Sequence, residues 1–97
     1  MRRPHVTDEA LADIDEIWDY IARDSFIAAD RVVDEIYDAI FMLTERPEIG
    51  HGREGVRDKS LRFWRVHSYL IVYRPDTKPL EIARILSGYR NVGALLS

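Results

Sequence analysis

The sequence predicts an α+β domain in which two helices pack on a four-stranded antiparallel sheet. Apolar residues recur at helical spacing across the first half of the chain, and three runs typical of β-strands follow in the second half. A length of 97 residues, 46% hydrophobic and 32% charged, fits one domain over residues 1–97. The predicted order is an N-terminal strand, a helical hairpin and a three-stranded antiparallel meander. We expect the N-terminal strand to lie beside the C-terminal one, with the helices covering one face.

The first helix is predicted from about Asp8 to Arg23. Thr7 is a suitable N-cap, and the acidic residues after it favour the positive end of the helix dipole. Apolar residues recur at positions 11, 14, 17, 18, 21 and 22. A second helix is predicted to begin near Ile27 and to end before Pro47, with apolar positions 29, 32, 33, 36, 40 and 43. Two such stripes joined by a short link predict an αα-hairpin.

The second half of the chain is predicted to be a loop followed by strands. Glu48 to Lys59 has glycines among charged residues and no periodicity, which is typical of a functional loop. Three strand-like runs cover residues 61–66, 69–74 and 80–86, and short links between them predict antiparallel pairing. Residues 2–6 are a candidate strand that Pro4 confines to an edge or to a strand entry. Besides the helical stripes, four strand residues are expected in the core: Val66, Leu70, Val72 and Ile82.

Composition excludes several classes of chemistry. There is no cysteine, which excludes disulfides, thiol catalysis and cysteine-based metal sites. Asp13 and Asp15 do not form a metal pair, because residues two apart on a helix point to different faces. We therefore predict no metal and no cofactor.

No apolar run approaches the roughly 20 residues that span a bilayer, and the N-terminus lacks the apolar core of a secretory signal, so we expect a cytoplasmic protein without membrane contact.

The net charge of −3 conceals a division along the chain. Residues 1–48 hold 13 Asp/Glu against 5 Arg, a net of −8, and residues 49–97 hold 9 Lys/Arg against 4 Asp/Glu, a net of +5. Such asymmetry indicates contact with nucleic acid or with an acidic partner. The alternative explanation is that the helices are solvated by acids and the strands by bases.

Six short motifs follow one another along the chain. They are the run of residues 10–22, Ala28-Ala29, Leu43-x-x-x-Pro47-x-x-Gly50, Leu61-Arg62, Tyr69-x-Ile71-x-Tyr73-Arg74, and the ending Arg84-Ile-Leu-Ser-Gly-Tyr89-Arg90. Their order resembles that of the RelE/ParE superfamily of bacterial toxins, and the resemblance covers almost the whole chain. It implies a type II toxin that arrests growth and that a cognate antitoxin holds inactive.

The superfamily has two branches with different chemistry. RelE-like members are similar to ribosome-dependent endoribonucleases, which cut messenger RNA by attack of a 2′-hydroxyl on the neighbouring phosphate and need cations and proton transfer. On this alternative the resemblance assigns the catalytic role to five residues: Arg62, Arg65, Arg84, Tyr89 and Arg90. However, Ser87 stands where many relatives carry histidine, and the loop holds less lysine than is typical of the nuclease branch.

ParE-like members instead poison DNA gyrase by protein–protein contact, and the long first helix and the absent histidine favour this branch. No catalytic residue is then expected. The predicted target-binding residues are Arg57, Lys59, Arg62, Arg84, Tyr89 and Arg90. The predicted antitoxin-binding residues are Trp18, Tyr37, Arg62, Arg65 and Arg84. Arg84 has a competing structural explanation, since it can pair with Glu81 or with an acid on a helix. A third alternative is a non-toxic adaptor whose basic surface binds nucleic acid or protein.

Overall fold

The computed structural model describes residues 3–88, and its elements have the predicted α+β composition. In chain order they are β1 (His5–Val6), α1 (Asp8–Ala22), α2 (Phe26–Glu45), a 3-10 helix (Pro47–Ile49), β2 (Arg62–Val66), β3 (Tyr69–Arg74) and β4 (Glu81–Ser87). Two helices and a four-stranded sheet are thus confirmed. Among the described residues, no helix combines the length and apolarity needed to cross a membrane.

Each helix begins at a side chain that satisfies an otherwise unpaired amide of the first turn. Thr7 Oγ1 accepts a hydrogen bond from the Ala10 amide at 3.1 Å, which confirms the predicted cap. Ser25 Oγ accepts from the Ala28 amide at 3.1 Å, so α2 begins at Phe26, one residue before the predicted start. The Thr7 hydroxyl also donates to the Ala83 carbonyl at 2.9 Å, which joins the start of α1 to β4.

The sheet is mixed, so the expectation of an entirely antiparallel sheet is wrong. The strand order is β1-β4-β3-β2, with antiparallel pairing of β2 with β3 and of β3 with β4. β1 does lie beside β4, but the two strands run parallel. Tight turns force consecutive strands to alternate in direction, whereas residues 46–61 form a long connection between α2 and β2. Because the two helices and this connection separate β1 from the other strands, no tight turn determines whether β1 runs parallel or antiparallel to β4.

Apolar residues are buried on both faces of the sheet. The face under the helices forms the main core: Ile14, Ile17, Ile36, Ile40, Leu43, Ile71, Tyr73, Ile82 and Ile85 are among its members. The opposite face buries Val56, Leu61, Phe63, Leu70, Val72 and Leu86. Leu70 and Val72 are therefore buried as predicted, but they face away from the helices. Val66 is only half-buried against the main core, whereas Ile82 lies within it.

An extra residue in β4 breaks the simple alternation of side chains along that strand. Tyr73 pairs with Ile82 and Ile71 with Ile85, so three residues of β3 lie opposite four of β4. Such a bulge reverses the facing of residues beyond it. In consequence Ile82 and Ile85 both face the helices, and Arg84 turns toward α1.

Candidate functional site

The start of the loop after α2 is fixed to the sheet by Tyr73. Its side chain is completely buried, and its hydroxyl donates to the Pro47 carbonyl at 2.7 Å and accepts from the Gly50 amide at 2.8 Å. Burial raises the pKa of the Tyr73 phenol, so the hydroxyl stays protonated and able to donate. A Cβ at Gly50 would lie 2.2 Å from the Tyr73 Oη. Glycine is therefore required there for close approach.

The end of the same loop is held by Arg74 on β3. Its Nη1 donates to Asp58 Oδ2 at 2.8 Å and its Nε to Glu81 Oε2 at 3.0 Å, while Ser60 Oγ donates to Asp58 Oδ1 at 2.5 Å. The hydrogen bonds from Ser60 and then Arg74 lower the pKa of Asp58 to about 2. Asp58 and Glu81 thus neutralise Arg74, and the loop meets β3 and β4 at a fixed point.

Between these two attachments the loop presents basic side chains. Val56 and Leu61 are 2% and 4% exposed, so their side chains hold the backbone against the sheet. The intervening Arg57 and Lys59, and Arg62 directly after, are exposed. Three of the predicted target-binding residues therefore occupy one short segment that is anchored at both ends.

A shallow cleft of about 290 Å³ lies beside this segment, at the outer edge of β2. Its lining consists of His51, Gly52, Arg53, Phe63, Arg65 and Leu70, without an acidic residue. The Arg53 guanidinium lies 6.0 Å from the centre of the Phe63 ring. Arg62 borders the same edge, since a Cβ on Gly52 would lie 3.6 Å from the Arg62 Nη1. The edge of β2 is therefore lined by cationic side chains.

Arg84 has a structural partner, an acid on α1. Its Nε donates to Asp13 Oδ2 at 2.8 Å and its Nη2 to Asp13 Oδ1 at 3.0 Å, a bidentate pair. The Ile85 amide donates to the same carboxylate at 2.9 Å. The hydrogen bonds to Asp13 raise the pKa of Arg84, and the Asp13 side chain is only 12% exposed. Of the two partners considered for Arg84 from sequence, the structure therefore selects the helix acid.

A second, larger groove of about 770 Å³ runs between α1 and β4. Its α1 wall carries Asp13, Glu16 and Asp19, and its floor includes Ile17 and Ile85. Arg23 and Arg84 also line this groove, so it sets three acids against two arginines, whereas no acid lines the cleft at β2. Within residues 3–88, no cluster of three or more acidic or histidine side chains is arranged to hold a metal ion.

The three arginines considered for catalysis do not converge. Cross-strand neighbours share a face of the sheet. Arg62 pairs with Tyr73 and so lies on the helix side, whereas Arg65 pairs with Leu70 and lies on the outer side. Arg84 is on β4, two strands away from β2, and faces Asp13. The remaining two candidates, Tyr89 and Arg90, lie outside the described residues.

The predicted aromatic anchors have different surroundings. Trp18 Nε1 donates to Asp30 Oδ1 at 2.8 Å, and its ring stacks on Phe26 with centroids 5.8 Å apart. Tyr37 is half-buried against the main core. Phe26 and Ile27, 68% and 74% exposed, form an apolar surface at the start of α2 that was not predicted from the sequence. Their exposure could have been predicted, because both residues are apolar and neither lies on the apolar stripe by which α2 packs.

Comparison with known proteins identifies relatives of this fold and sequence. A model of the family described as the ParE toxin of the type II toxin-antitoxin system parDE matches residues 5–92. The chain is also similar to a solved structure of the chromosomal ParDE TA system from P. aeruginosa, with a TM-score of 0.74 and 24% identity over 92% of this chain and 98% of that one. A search of curated proteins found no match.

Proposed function

The chain belongs to the ParE family of type II toxins, and we propose that it inhibits DNA gyrase by protein–protein contact and is neutralised by a cognate antitoxin. The observation that carries the choice of a binding mechanism is the separation of Arg62, Arg65 and Arg84 onto different faces and strands. A surface that binds a protein needs no such convergence. Cleavage of RNA does, because the cations must surround one phosphate in the transition state.

Arg84 further favours contact over catalysis. A guanidinium in a bidentate pair with Asp13 has two of its donor positions occupied. Using it on a phosphate would leave a carboxylate that is 12% exposed without its cation. We therefore assign Arg84 a structural role in this proposal, and we assign contact with the target to the exposed segment that holds Arg57, Lys59 and Arg62.

The test of the proposed activity is a supercoiling assay with purified gyrase. We expect the protein to inhibit supercoiling or to trap cleaved DNA, and we expect addition of the cognate antitoxin to restore activity. An Arg57→Glu/Lys59→Glu/Arg62→Glu variant should inhibit at least tenfold less, and Arg23→Glu/Arg31→Glu/Lys78→Glu is the matched control. Full gyrase activity at every toxin concentration, with a correctly folded protein, would contradict the proposal.

Neutralisation is proposed to combine electrostatic and apolar contact. Residues 48–74 hold six Lys/Arg against three Asp/Glu, which suits an acidic antitoxin segment. Exposed Phe26 and Ile27 supply apolar surface of the kind that anchors a partner. An Arg62→Glu/Arg65→Glu variant should bind the antitoxin at least tenfold more weakly, whereas the matched control Arg3→Glu/Lys78→Glu, at exposed positions away from both surfaces, should not. Unchanged affinity in the first variant would remove the electrostatic part of this proposal.

A further inference from the structure

We infer that the basic edge of β2 binds the phosphate backbone of duplex DNA. The edge is defined by Arg53, Arg62 and Arg65 around the cleft that His51 and Gly52 complete. The inference takes its biological setting from the proposed function, because gyrase is engaged on DNA, but DNA binding can be measured without gyrase. DNA would then be a second contact of the toxin in a complex with its target.

The backbone of this edge disfavours recognition by an added protein strand. The Phe63 amide donates to the His51 carbonyl at 2.8 Å, and the His51 amide donates to the Phe63 carbonyl at 2.9 Å. The Leu61 amide donates to the Asp58 carbonyl at 3.3 Å. Strand addition requires outward amides and carbonyls, and over this stretch the chain's own loop already occupies them. Recognition here therefore depends on side chains.

The apolar residues of the cleft offer little surface to a protein partner. Phe63 and Leu70 are 2% and 4% exposed, and protein interfaces depend on aromatic or aliphatic anchors that become buried on binding. The cleft lining has three basic or histidine side chains and no carboxylate. Arg65 Nε donates to the His67 carbonyl at 2.9 Å, a neutral acceptor that leaves the guanidinium its charge. Arginine is well suited to phosphate because its planar guanidinium donates two parallel hydrogen bonds. This composition fits a polyanion better than it fits an amphipathic peptide.

The cations bracket the edge from both faces of the sheet. Arg62 is on the helix side, beside Gly52, and Arg65 is on the outer side with Arg53. A rod of evenly distributed negative charge can contact both sets when it lies along the edge. Contacts to phosphates position the protein on the DNA but do not distinguish one base from another. Binding should therefore be independent of the DNA sequence.

The net charge of −3 does not oppose this inference. Thirteen of the 17 acids lie in residues 1–48, which form β1 and the two helices. The acids nearest to these arginines in sequence are Glu54 and Asp58. Asp58 is paired with Arg74, and neither acid lines the cleft. At physiological ionic strength the screening length is about 8 Å, so a phosphate at the edge interacts mainly with the charges closest to it.

The test is binding of a fluorescent duplex of about 20 base pairs, measured by anisotropy between about 50 and 200 mM salt. Three phosphate contacts predict a slope of log K against log salt near −3, at roughly −0.9 per contact. An Arg53→Gln/Arg62→Gln/Arg65→Gln variant should bind at least tenfold more weakly at the lowest salt and lose most of that slope. The matched control, Arg23→Gln/Arg31→Gln/Lys78→Gln, removes equal charge elsewhere and should bind within twofold of the parent. Circular dichroism of each variant verifies folding.

The outcomes are distinct. A slope weaker than −1 for the parent protein, or an equal loss in the matched control, would overturn the inference. Tighter binding of a glutamate-rich peptide than of the duplex at the same salt, lost in the same edge variant, would make the edge a protein contact and would also overturn it. Failure to inhibit gyrase with DNA binding intact would contradict the proposed function alone. Displacement of the duplex by the antitoxin would support both.

Discussion

At the scale of single residues, buried polar atoms join the loop after α2 to the sheet. The Tyr73 hydroxyl hydrogen-bonds both the half-buried Pro47 carbonyl and the buried Gly50 amide, and removing it would leave both backbone groups without this partner. The motif Leu43-x-x-x-Pro47-x-x-Gly50 and the strand containing Tyr73 are separate in sequence. The structure explains them together, because one side chain contacts both Pro47 and Gly50.

Gly50→Ala should lower the free energy of unfolding by about 2 kcal/mol or more, because the new methyl group would overlap the buried Tyr73 ring. Gly52→Ala is the matched control: its Cβ would make only ordinary contact, 3.6 Å from Arg62, and should change stability by less than about 0.5 kcal/mol. Urea unfolding measures both. Equal stability of the two variants would show that the Tyr73 contact does not constrain this loop.

Asp58 should make stability depend on pH in the acidic range. Its pKa is lowered to about 2 in the folded protein, against roughly 3.9 in an unfolded chain. The folded state therefore binds the proton less readily, so the contribution of Asp58 is complete above about pH 4 and is lost as the pH falls toward 2. Asp58→Asn should thus be less stable than the parent at pH 7 and equal to it near pH 2. A difference that persists unchanged at pH 2 would contradict this explanation.

At the scale of elements, the bulge in β4 determines where side chains point. The positions of β2, β3 and β4 were predictable to within one residue, because the apolar runs and the turns between them are local signals, whereas β1 begins at His5 and not at residue 2. The faces of the β4 side chains were not predictable, because the extra residue in β4, opposite the step from Val72 to Tyr73, is a property of the pairing between β3 and β4. For the same reason the sequence could propose an acid partner for Arg84 but could not choose Asp13, which is 71 residues away.

Arg84→Met should destabilise the packing of α1 on β4. It removes both guanidinium bonds to Asp13 and leaves that carboxylate with only the Ile85 amide. Since a third of the Arg84 side chain is exposed, we expect a modest loss of about 1–3 kcal/mol. Arg62→Met, an exposed arginine on β2, should change stability by less than about 0.5 kcal/mol. Loss of toxicity in Arg84→Met at a temperature where it remains folded would instead indicate a direct role in binding.

The apolar stripe of α2 can be tested in the same way. Ile36 is completely buried in the main core, and Ile36→Ala should cost about 2–5 kcal/mol. Ile27 on the same helix is 74% exposed, so Ile27→Ala should change stability by less than about 0.5 kcal/mol. Chemical denaturation distinguishes them. A loss below about 0.5 kcal/mol for Ile36→Ala would show that the helix is packed differently.

At the scale of the whole molecule, the division of charge along the chain becomes a division in space. The acidic half builds the two helices and the acidic wall of the α1–β4 groove. The basic half builds the sheet edge and the anchored loop beside it. Charge counts alone predict this polarity, but not which cations are neutralised: Arg74 and Arg84 are paired with carboxylates, and only the folded chain shows it. The acids that pair with Arg74 are already counted in the +5 of the second half, but Arg84 is paired with Asp13 of the first half, so the charge available for binding is smaller than +5.

The central claim is that activity depends on a contact surface and not on proton transfer. The most direct test is a translation reaction in which messenger RNA on ribosomes is mapped by primer extension, at a toxin concentration that fully inhibits gyrase in a parallel sample. We predict intact message. For gyrase inhibition we predict at most the loss of one contact, about 1–3 kcal/mol, on Tyr89→Phe, and no loss on Arg84→Ala at a temperature where that variant remains folded. Codon-specific cuts in the message, lost on the order of a hundredfold in either variant, would contradict the account and assign the chain RelE-like chemistry.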